Sequence, residues 1–291
     1  MEQALAVDIG GTKLAAGRVG DDGRLMERRS VPTPAGADPE HLWSTLAALL
    51  RSFAPFDRYA VCGVGSGGPM SAGGERVSPL NIPAWRDFPL AARLAELTGL
   101  PTRVDNDAKA LALGEAWVGA AVGERNFLAM VVSTGVGGGI VLDGRLLEGE
   151  AGNAGHIGHV VVEPDGHELP SHAAGTLEVE ASGTGIAAHT GRPAAEASTA
   201  DIARAGTMVG RAVGSVANLL GLRLALVAGS VALGFGEPFF AAAQAEMDRL
   251  CILDFSRGAR IVPAGLGDEG PLVGAAAVGW RHLGRSIGVV R

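Results

Sequence analysis

The fold is decided by LAVDIGGTKLAAGRVGDDGRL, residues 5–25, where an apolar run, a glycine-rich bend and a second apolar run follow one another. The pattern predicts a hairpin with its bend at 10–13 and a chain reversal at 21–23. The same design returns as AMVVSTGVGGGIVLDGRLL, residues 129–147, where we place the glycine turn at 133–139. Two copies of one strand, bend and strand predict a duplicated protein.

Strands and helices alternate along the rest of the chain, which predicts an α/β fold. We expect a first lobe over 1–117 and a second over 118–270, with a helix at about 271–288 that packs back on the first lobe. The two glycine bends should face one central cleft. Beyond the hairpins, the pattern predicts strands at 59–64, 102–104, 224–227 and 261–262, and helices at 41–53, 90–97, 108–118, 207–220, 238–250 and 271–282, with a loop at 193–198.

Composition narrows the classes of partner. The net charge of −7, from 24 basic and 31 acidic residues, argues against a nucleic-acid footprint. No segment reaches the ~20 unbroken apolar residues of a membrane span, and the N-terminus lacks a signal-peptide pattern. Cys62 and Cys251 lie far apart in apolar stretches and are expected to be buried free thiols. We therefore expect a cytoplasmic protein whose ligands are small molecules.

The first bend places the carboxylate of Asp8 immediately before Gly10, Gly11 and Thr12. Glycines let backbone N–H groups approach phosphate oxygens, and an acid beside them can hold Mg²⁺ through water. A structural turn is the alternative, and the recurrence of the bend at 133–139 favours the phosphate role. The spacing fits neither a Walker A loop nor a Rossmann fingerprint, because the second bend leads into a strand.

Asp105-Asn106-Asp107 follows a predicted strand and precedes a predicted helix. A sugar hydroxyl is a poor nucleophile, so a positioned carboxylate that accepts its proton would suit phosphoryl transfer. We assign Asp107 as the candidate base. The alternative is that Asp107 only caps the helix that follows.

The segment 156–172 contains four histidines, His156, His159, His167 and His172. The pair in Gly-His-Ile-Gly-His is more typical of ligand or backbone hydrogen bonds than of a metal site. A zinc site of His159, His167 and His172 is conceivable, although no thiolate accompanies them. Glu178 by itself would most often be a solvated helix acid.

In this order, the motifs at 8–13, 106–107, 133–139 and 155–159 resemble those of the ROK family (repressors, open reading frames, kinases) over essentially the whole chain. The resemblance implies an actin-like, two-lobed fold of the sugar-kinase, ribonuclease H-like type, usually a homodimer, that uses MgATP to phosphorylate a hexose. It implies Asp107 as catalytic base. It also implies a set of residues that bind the phosphates and the nucleotide, namely Asp8, Gly10, Gly11, Thr12, Lys13, Ser133, Thr134, Gly135, Gly137 and Gly229. The residues that it implies for sugar binding are Gly68, Asn81, Asn106, Asp107, His156, His159 and Glu178.

Two departures from the family pattern matter. Leu169, Ser171 and Thr176 stand where the family has the cysteines of a structural zinc site, so we expect no zinc and a loop ordered by packing or its own hydrogen bonds. His156 stands where glucokinase-like members commonly carry Glu, which is similar to N-acetylmannosamine kinases and some glucokinase homologues. The substrate could thus be glucose or an N-acylhexosamine, and the donor ATP or polyphosphate.

Two other functions remain open. A catalytically inactive sugar-binding protein would fit the missing zinc ligands, although Asp107 and both bends oppose it. A sugar-responsive repressor would need a DNA-binding segment ahead of Asp8, for which we expect no room in this chain.

Overall fold

The computed structural model describes residues 1–170 and 172–289. Within them the chain divides into two compact units. Of the described residues, the first unit contains 1–123, 144–154 and 268–289, and the second contains 124–143, 155–170 and 172–267. The sequence placed 144–154 in the second lobe, whereas their contacts belong to the first unit.

The first unit is built on a five-stranded sheet in the order β3-β2-β1-β4-β5. β1 pairs antiparallel with β2, while β4 and β5 add parallel strands on its other side. Buried Leu5, Val7, Ile9 and Val64 lie in its core. The strands are β1 (Gln3–Ile9), β2 (Lys13–Gly20), β3 (Leu25–Pro32), β4 (Val61–Ser66) and β5 (Thr102–Asn106), and the helices are α1 (Pro39–Arg51), α2 (Leu90–Thr98), α3 (Asp107–Val118) and α9 (Gly270–His282).

The second unit repeats this sheet, with the order β10-β9-β6-β7-β8. β6 pairs antiparallel with β7 and parallel with β9, just as β1 pairs with β2 and β4. The prediction of a duplicated α/β fold is confirmed. The strands are β6 (Phe127–Val132), β7 (Val136–Leu142), β8 (Arg145–Leu146), β9 (Leu224–Ala228) and β10 (Arg260–Pro263), and the helices are α4 (Leu177–Ala181), α5 (Gly183–Thr190), α6 (Thr199–Leu220), α7 (Ser230–Phe235) and α8 (Glu237–Leu250). Of these, β8 belongs by its contacts to the first unit.

Two local predictions need correction. The second glycine bend is shorter than 133–139, because Gly137, Gly138 and Gly139 already pair with β6 as part of β7. α6 begins at Thr199 instead of 207, since Ser198 and Asp201 form a capping box that satisfies the first backbone N–H groups. Among the described residues, none of the helices has the length and apolarity needed to cross a bilayer.

Candidate active site

The candidate base of the first unit lies where three parallel strands end. Asp8 on β1 is in register with Gly65 on β4, which in turn is in register with Asp105 on β5. A Cβ added at Gly65 would lie 3.6 Å from the Asp107 Cα and 3.9 Å from the Asp8 Oδ1. The carboxyl ends of parallel strands are where open α/β sheets bind ligands, so the fold brings two acids to such an edge.

Asp107 is the first residue of α3, and the cap of that helix is Asn106. The Asn106 side chain accepts hydrogen bonds from the backbone N–H groups of Ala108 and Lys109. Asp105 is buried and its Oδ1 lies 3.0 Å from the Lys109 Nζ, so this carboxylate is committed to an ion pair. Asn106 is the N-cap of α3, and the Asp107 Oδ1 also accepts from the Ala108 N–H over 2.8 Å. Asp107 therefore lies in the first turn of the helix at the strand ends, where both a structural and a catalytic role are compatible with its position.

Asp8 has an unusual acidity. Burial, and secondly repulsion by the Asp107 carboxylate, raise the pKa of Asp8 from 3.8 to about 7, while attraction by Lys13 opposes this change. A carboxyl group with such a pKa gains from a nearby cation, which favours its ionised form. Asp8 is thus a group whose charge depends on what binds beside it.

The other predicted residues of the first unit lie around the same bend. The Gly10 N–H donates to the Lys13 carbonyl over 3.0 Å, which closes the turn. A Cβ on Gly11 would lie 3.0 Å from the Asn81 Cβ, so the bend and Asn81 are adjacent. The Gly68 carbonyl accepts from the Leu80 N–H, which joins the loop after β4 to the Asn81 segment. Thr12 follows Gly11 in the bend and is exposed.

The second unit builds its own constellation around the bend between β6 and β7. The Ser133 carbonyl accepts from the Gly183 N–H over 2.7 Å, and the Thr134 carbonyl from the Thr184 N–H over 3.2 Å. The Ser133 hydroxyl lies 3.0 Å from that of Ser230, which directly follows Gly229. The N-terminus of α5 and the turn after β9 are therefore tied to this bend.

Gly229 has φ 102° and ψ 150°, a conformation essentially restricted to glycine. A Cβ at this position would clash with the Val132 backbone. The turn between β9 and α7 consequently depends on glycine at this position.

Glu178 fixes the histidine segment against the bend. Its Oε2 accepts from the Val136 N–H over 2.6 Å, and its Oε1 lies 2.8 Å from the His172 Nε2. The His172 ring is stacked on that of His159 at 6.1 Å between centroids, and His156 lies 6.1 Å from His159. The side chain of Glu178 is 13% exposed, so it is not the solvated helix acid of the alternative reading.

His172 has an acceptor facing each ring nitrogen. Its Nδ1 lies 3.0 Å from the Pro170 carbonyl, and its Nε2 faces the Glu178 carboxylate. Only the imidazolium form donates from both nitrogens. Desolvation opposes this charge, but the bonds to Pro170 and Glu178 outweigh it and raise the pKa of His172 above 6.5. A cationic His172 paired with Glu178 is the charge state that this geometry favours.

The zinc alternative gains no support from the described residues. His167 stacks on His189 at 4.1 Å and pairs with Glu180, apart from the stack of His159 on His172. No group of three or more His, Cys, Asp or Glu side chains in residues 1–170 and 172–289 is placed to hold a metal ion. At the family's cysteine positions, Leu169 is partly exposed and Thr176 is buried. Ser171 lies outside the described residues.

Sequence reasoning missed two members of this constellation. His172 was considered only as a metal ligand, and its pairing with Glu178 depends on a loop path that no local pattern reveals. Ser230 was given no role. A polar residue directly after Gly229, at the end of a buried strand, is the signal that could have identified it.

Together the two units define a class of protein. The chain has two five-stranded sheets of the same strand order, each with a glycine bend in its first hairpin, and this is an α/β fold of the actin-like, sugar-kinase type. The ROK family model matches residues 4–281, and the chain belongs to this family.

Comparison with individual proteins adds detail. The chain is 46% identical over 187 residues to the N-acetylmannosamine kinase of Citrobacter koseri, a match that covers 63% of each chain and so less than two thirds of that relative. The ROK hexokinase from Thermus thermophilus is 32% identical with a TM-score of 0.80, over 97% of this chain and 99% of that one. The ROK glucokinase from Streptomyces griseus, in complex with glucose and AMPPNP, is 28% identical with a TM-score of 0.83, over 96% and 99%.

Proposed function

We propose that this protein is an ATP-dependent hexose kinase that phosphorylates O6 of glucose or of an N-acylhexosamine such as N-acetylmannosamine. The observation that carries the proposal is the meeting of Asp8 and Asp107 around Gly65 at the carboxyl ends of β1, β4 and β5. The names of the relatives, N-acetylmannosamine kinase, hexokinase and glucokinase, support a sugar as acceptor. A glucokinase complex with AMPPNP supports ATP as donor.

In this proposal Asp107 accepts the proton of the attacking sugar hydroxyl. Asp107 is the first residue of α3, directly after β5, so the helix start places this carboxylate at the carboxyl ends of the strands. Asn106 is a sugar ligand in the proposal, and its oxygen is engaged in capping α3, so its amide N–H₂ is the group available to donate to the sugar.

The phosphates of ATP are assigned to the two glycine bends, at Gly10, Gly11, Thr12 and Lys13 and at Ser133, Thr134, Gly135 and Gly137, with Gly229 on the nucleoside side. The N–H groups of Gly10 and Ser133 close their own bends, so the phosphate donors are sought among the other residues of the two sets. Glycine bends of this kind bind anions without requiring a net positive chain. The sugar is assigned to Gly68, Asn81, Asn106, His156, His159 and Glu178, to which we add His172 because it shares the Glu178 carboxylate.

Magnesium fits the donor set at Asp8. Mg²⁺ binds through one or two carboxylates, keeps several waters, and needs no cage of three side chains. The carboxyl oxygens of Asp8 supply this chemistry, and its raised pKa shows an acid that a cation would stabilise in ionised form. When bound, Mg²⁺ would neutralise charge on the phosphate oxygens.

The substrate question is answered by one coupled ADP-release screen. Glucose, N-acetylglucosamine, N-acetylmannosamine, mannose, fructose and allose are each supplied with ATP, and the best acceptor is then tested with polyphosphate. We expect one hexose to exceed the others in kcat/KM. Saturable sugar binding with no turnover of any donor would instead establish the inactive sugar-binding protein.

The catalytic assignment is tested by Asp107→Asn. We expect kcat to fall by ~10² or more while the sugar Kd changes little, because the amide cannot accept the proton. Asp57→Asn is the matched control, an exposed acid of the same unit. Near-normal turnover of Asp107→Asn would refute the base assignment.

A cytoplasmic location and a homodimer are part of the same proposal. Light scattering coupled to size exclusion measures the oligomeric state directly.

A further inference from the structure

The first unit contains a cavity of about 410 Å³ that the residues assigned above do not line. Cavities of 300–1,000 Å³ are typical of small-molecule sites. Residues of β5, α3, α9 and the segment 144–154 form its wall, all within one unit. They are Arg103, Asp105, Leu113, Glu148, Val278, Arg281 and His282.

The two carboxylates in the cavity wall, those of Asp105 and Glu148, already form ion pairs with basic side chains. The Asp105 Oδ1 lies 3.0 Å from the Nζ of Lys109, a lysine with only 1% of its side chain exposed. Glu148 also pairs with Lys109, and its Oε1 lies 2.8 Å from the Arg281 Nη1. The two acids are therefore balanced by two cations.

Arg103 and His282 add basic groups to this balanced wall. Within the described part of the chain, neither side chain makes an ion pair with a carboxylate. A guanidinium beside a cavity is well suited to phosphate oxygens, and an imidazole adds a further donor. The excess positive charge favours an anion, while the partly exposed carboxylate of Glu148 can accept hydrogen bonds from hydroxyl groups.

We propose that this cavity binds a phosphorylated monosaccharide, with its phosphate on Arg103 and His282 and its hydroxyls toward Glu148. This is the product class of the proposed reaction, so its physiological meaning rests on the proposed function, whereas binding itself does not.

One lining residue of the cavity, Asp105, lies two positions from the candidate base Asp107. Asp105 and Lys109 bracket Asp107 in sequence, one at the end of β5 and the other in the first turn of α3. A ligand whose hydroxyl groups donate to Glu148 would compete with Lys109 for this carboxylate, and Lys109 lies in the first turn of α3. We expect occupancy of the cavity to lower kcat without raising the sugar KM, in contrast to product bound at the active site.

Isothermal titration with glucose 6-phosphate, N-acetylmannosamine 6-phosphate and inorganic phosphate tests the site. We expect Arg103→Ala to weaken binding at the cavity ~10-fold or more, since it removes charge-assisted hydrogen bonds. Arg103→Lys should restore part of the affinity, and Arg28→Ala, an exposed arginine of β3, should change nothing. Thermal unfolding of each variant verifies that it is folded.

Asp107→Asn separates the two proposals, because it should lose turnover and keep cavity binding. Unchanged binding and unchanged inhibition in a folded Arg103→Ala variant would overturn the proposal, as would the absence of saturable binding in the wild type. Affinity for the sugar phosphates no greater than for inorganic phosphate would overturn the assignment to a monosaccharide.

Discussion

Replacing Asp8 by Asn should make the protein more stable at alkaline pH and impair its catalysis. The pKa of Asp8 is raised from 3.8 to about 7, so the folded state holds this proton more tightly than the unfolded chain. The stability that protonation confers is fully present below about 3.8 and is lost as the pH rises through about 7. Asparagine has nearly the same shape and carries no charge, so it avoids this loss.

The magnitude follows from the shift. Compared with acidic pH, the raised pKa of Asp8 lowers the free energy of unfolding by up to about 4 kcal/mol at pH 8. Roughly 2 kcal/mol of this loss is already present at pH 5, because Asp8 is ionised there in the unfolded chain but still protonated in the folded state. Asp8 keeps partial exposure to solvent, which screens the charge and reduces the expected difference between the two pH values to about 1–2 kcal/mol.

Urea unfolding of the wild type and Asp8→Asn at pH 5 and pH 8 measures this difference, with Asp57→Asn as the control. The advantage of the variant should grow from pH 5 to pH 8, and kcat should fall because the acid beside the first bend is gone. An advantage that stays constant or shrinks with rising pH would show that Asp8 is not a strained acid. Full activity of the Asp8→Asn variant would refute the assignment of Asp8 to the active site.

Two further predictions concern the second unit. Gly229→Ala should destabilise the protein by about 2–4 kcal/mol, measured as a lower urea midpoint, because alanine strains φ 102° and meets the Val132 backbone; an unchanged midpoint would contradict this. The pKa of His172 is raised, so its ion pair with Glu178 should be intact at a pH below this raised pKa and lost as the pH rises through it. The sugar KM should therefore increase toward alkaline pH in the wild type and be less sensitive to pH in His172→Ala, and equal pH profiles would refute the role of the pair.

The duplicated hairpin could be predicted because it is a local feature. An apolar strand, a glycine bend and a second strand lie within about twenty residues, and the presence of the pattern twice in the chain supports the prediction of each hairpin. The exact extent of the second bend could not be predicted, because Gly137 to Gly139 look like turn residues but are held in β7 by pairing with β6. The start of α6 was missed, although Ser198 and Asp201 carry the capping-box pattern.

The candidate site could be predicted as a set of residues but not as a geometry. Asp8 and Asp107 stand ninety-nine positions apart, and only the parallel pairing of β4 with both β1 and β5 makes them neighbours. The raised pKa of Asp8 follows from that proximity and from burial, so no sequence pattern could give it. The cavity beside Arg103 likewise exists because α9 returns to the first unit from the end of the chain.

The histidine segment illustrates how a carboxylate can order a loop. The backbone N–H of His167 donates to the Glu180 Oε1 over 2.6 Å, its Nδ1 lies 2.9 Å from Oε2, and Arg204 pairs with the same oxygen. The Glu180 side chain is fully buried, so these partners are what make its charge tolerable.

Glu178 and Glu180 lie two residues apart on α4 and so project from nearly opposite faces of the helix. One face is used for the loop and the other for the glycine bend and His172. A single short helix thereby links the hydrogen bonds of the loop to the position of the Glu178 carboxylate.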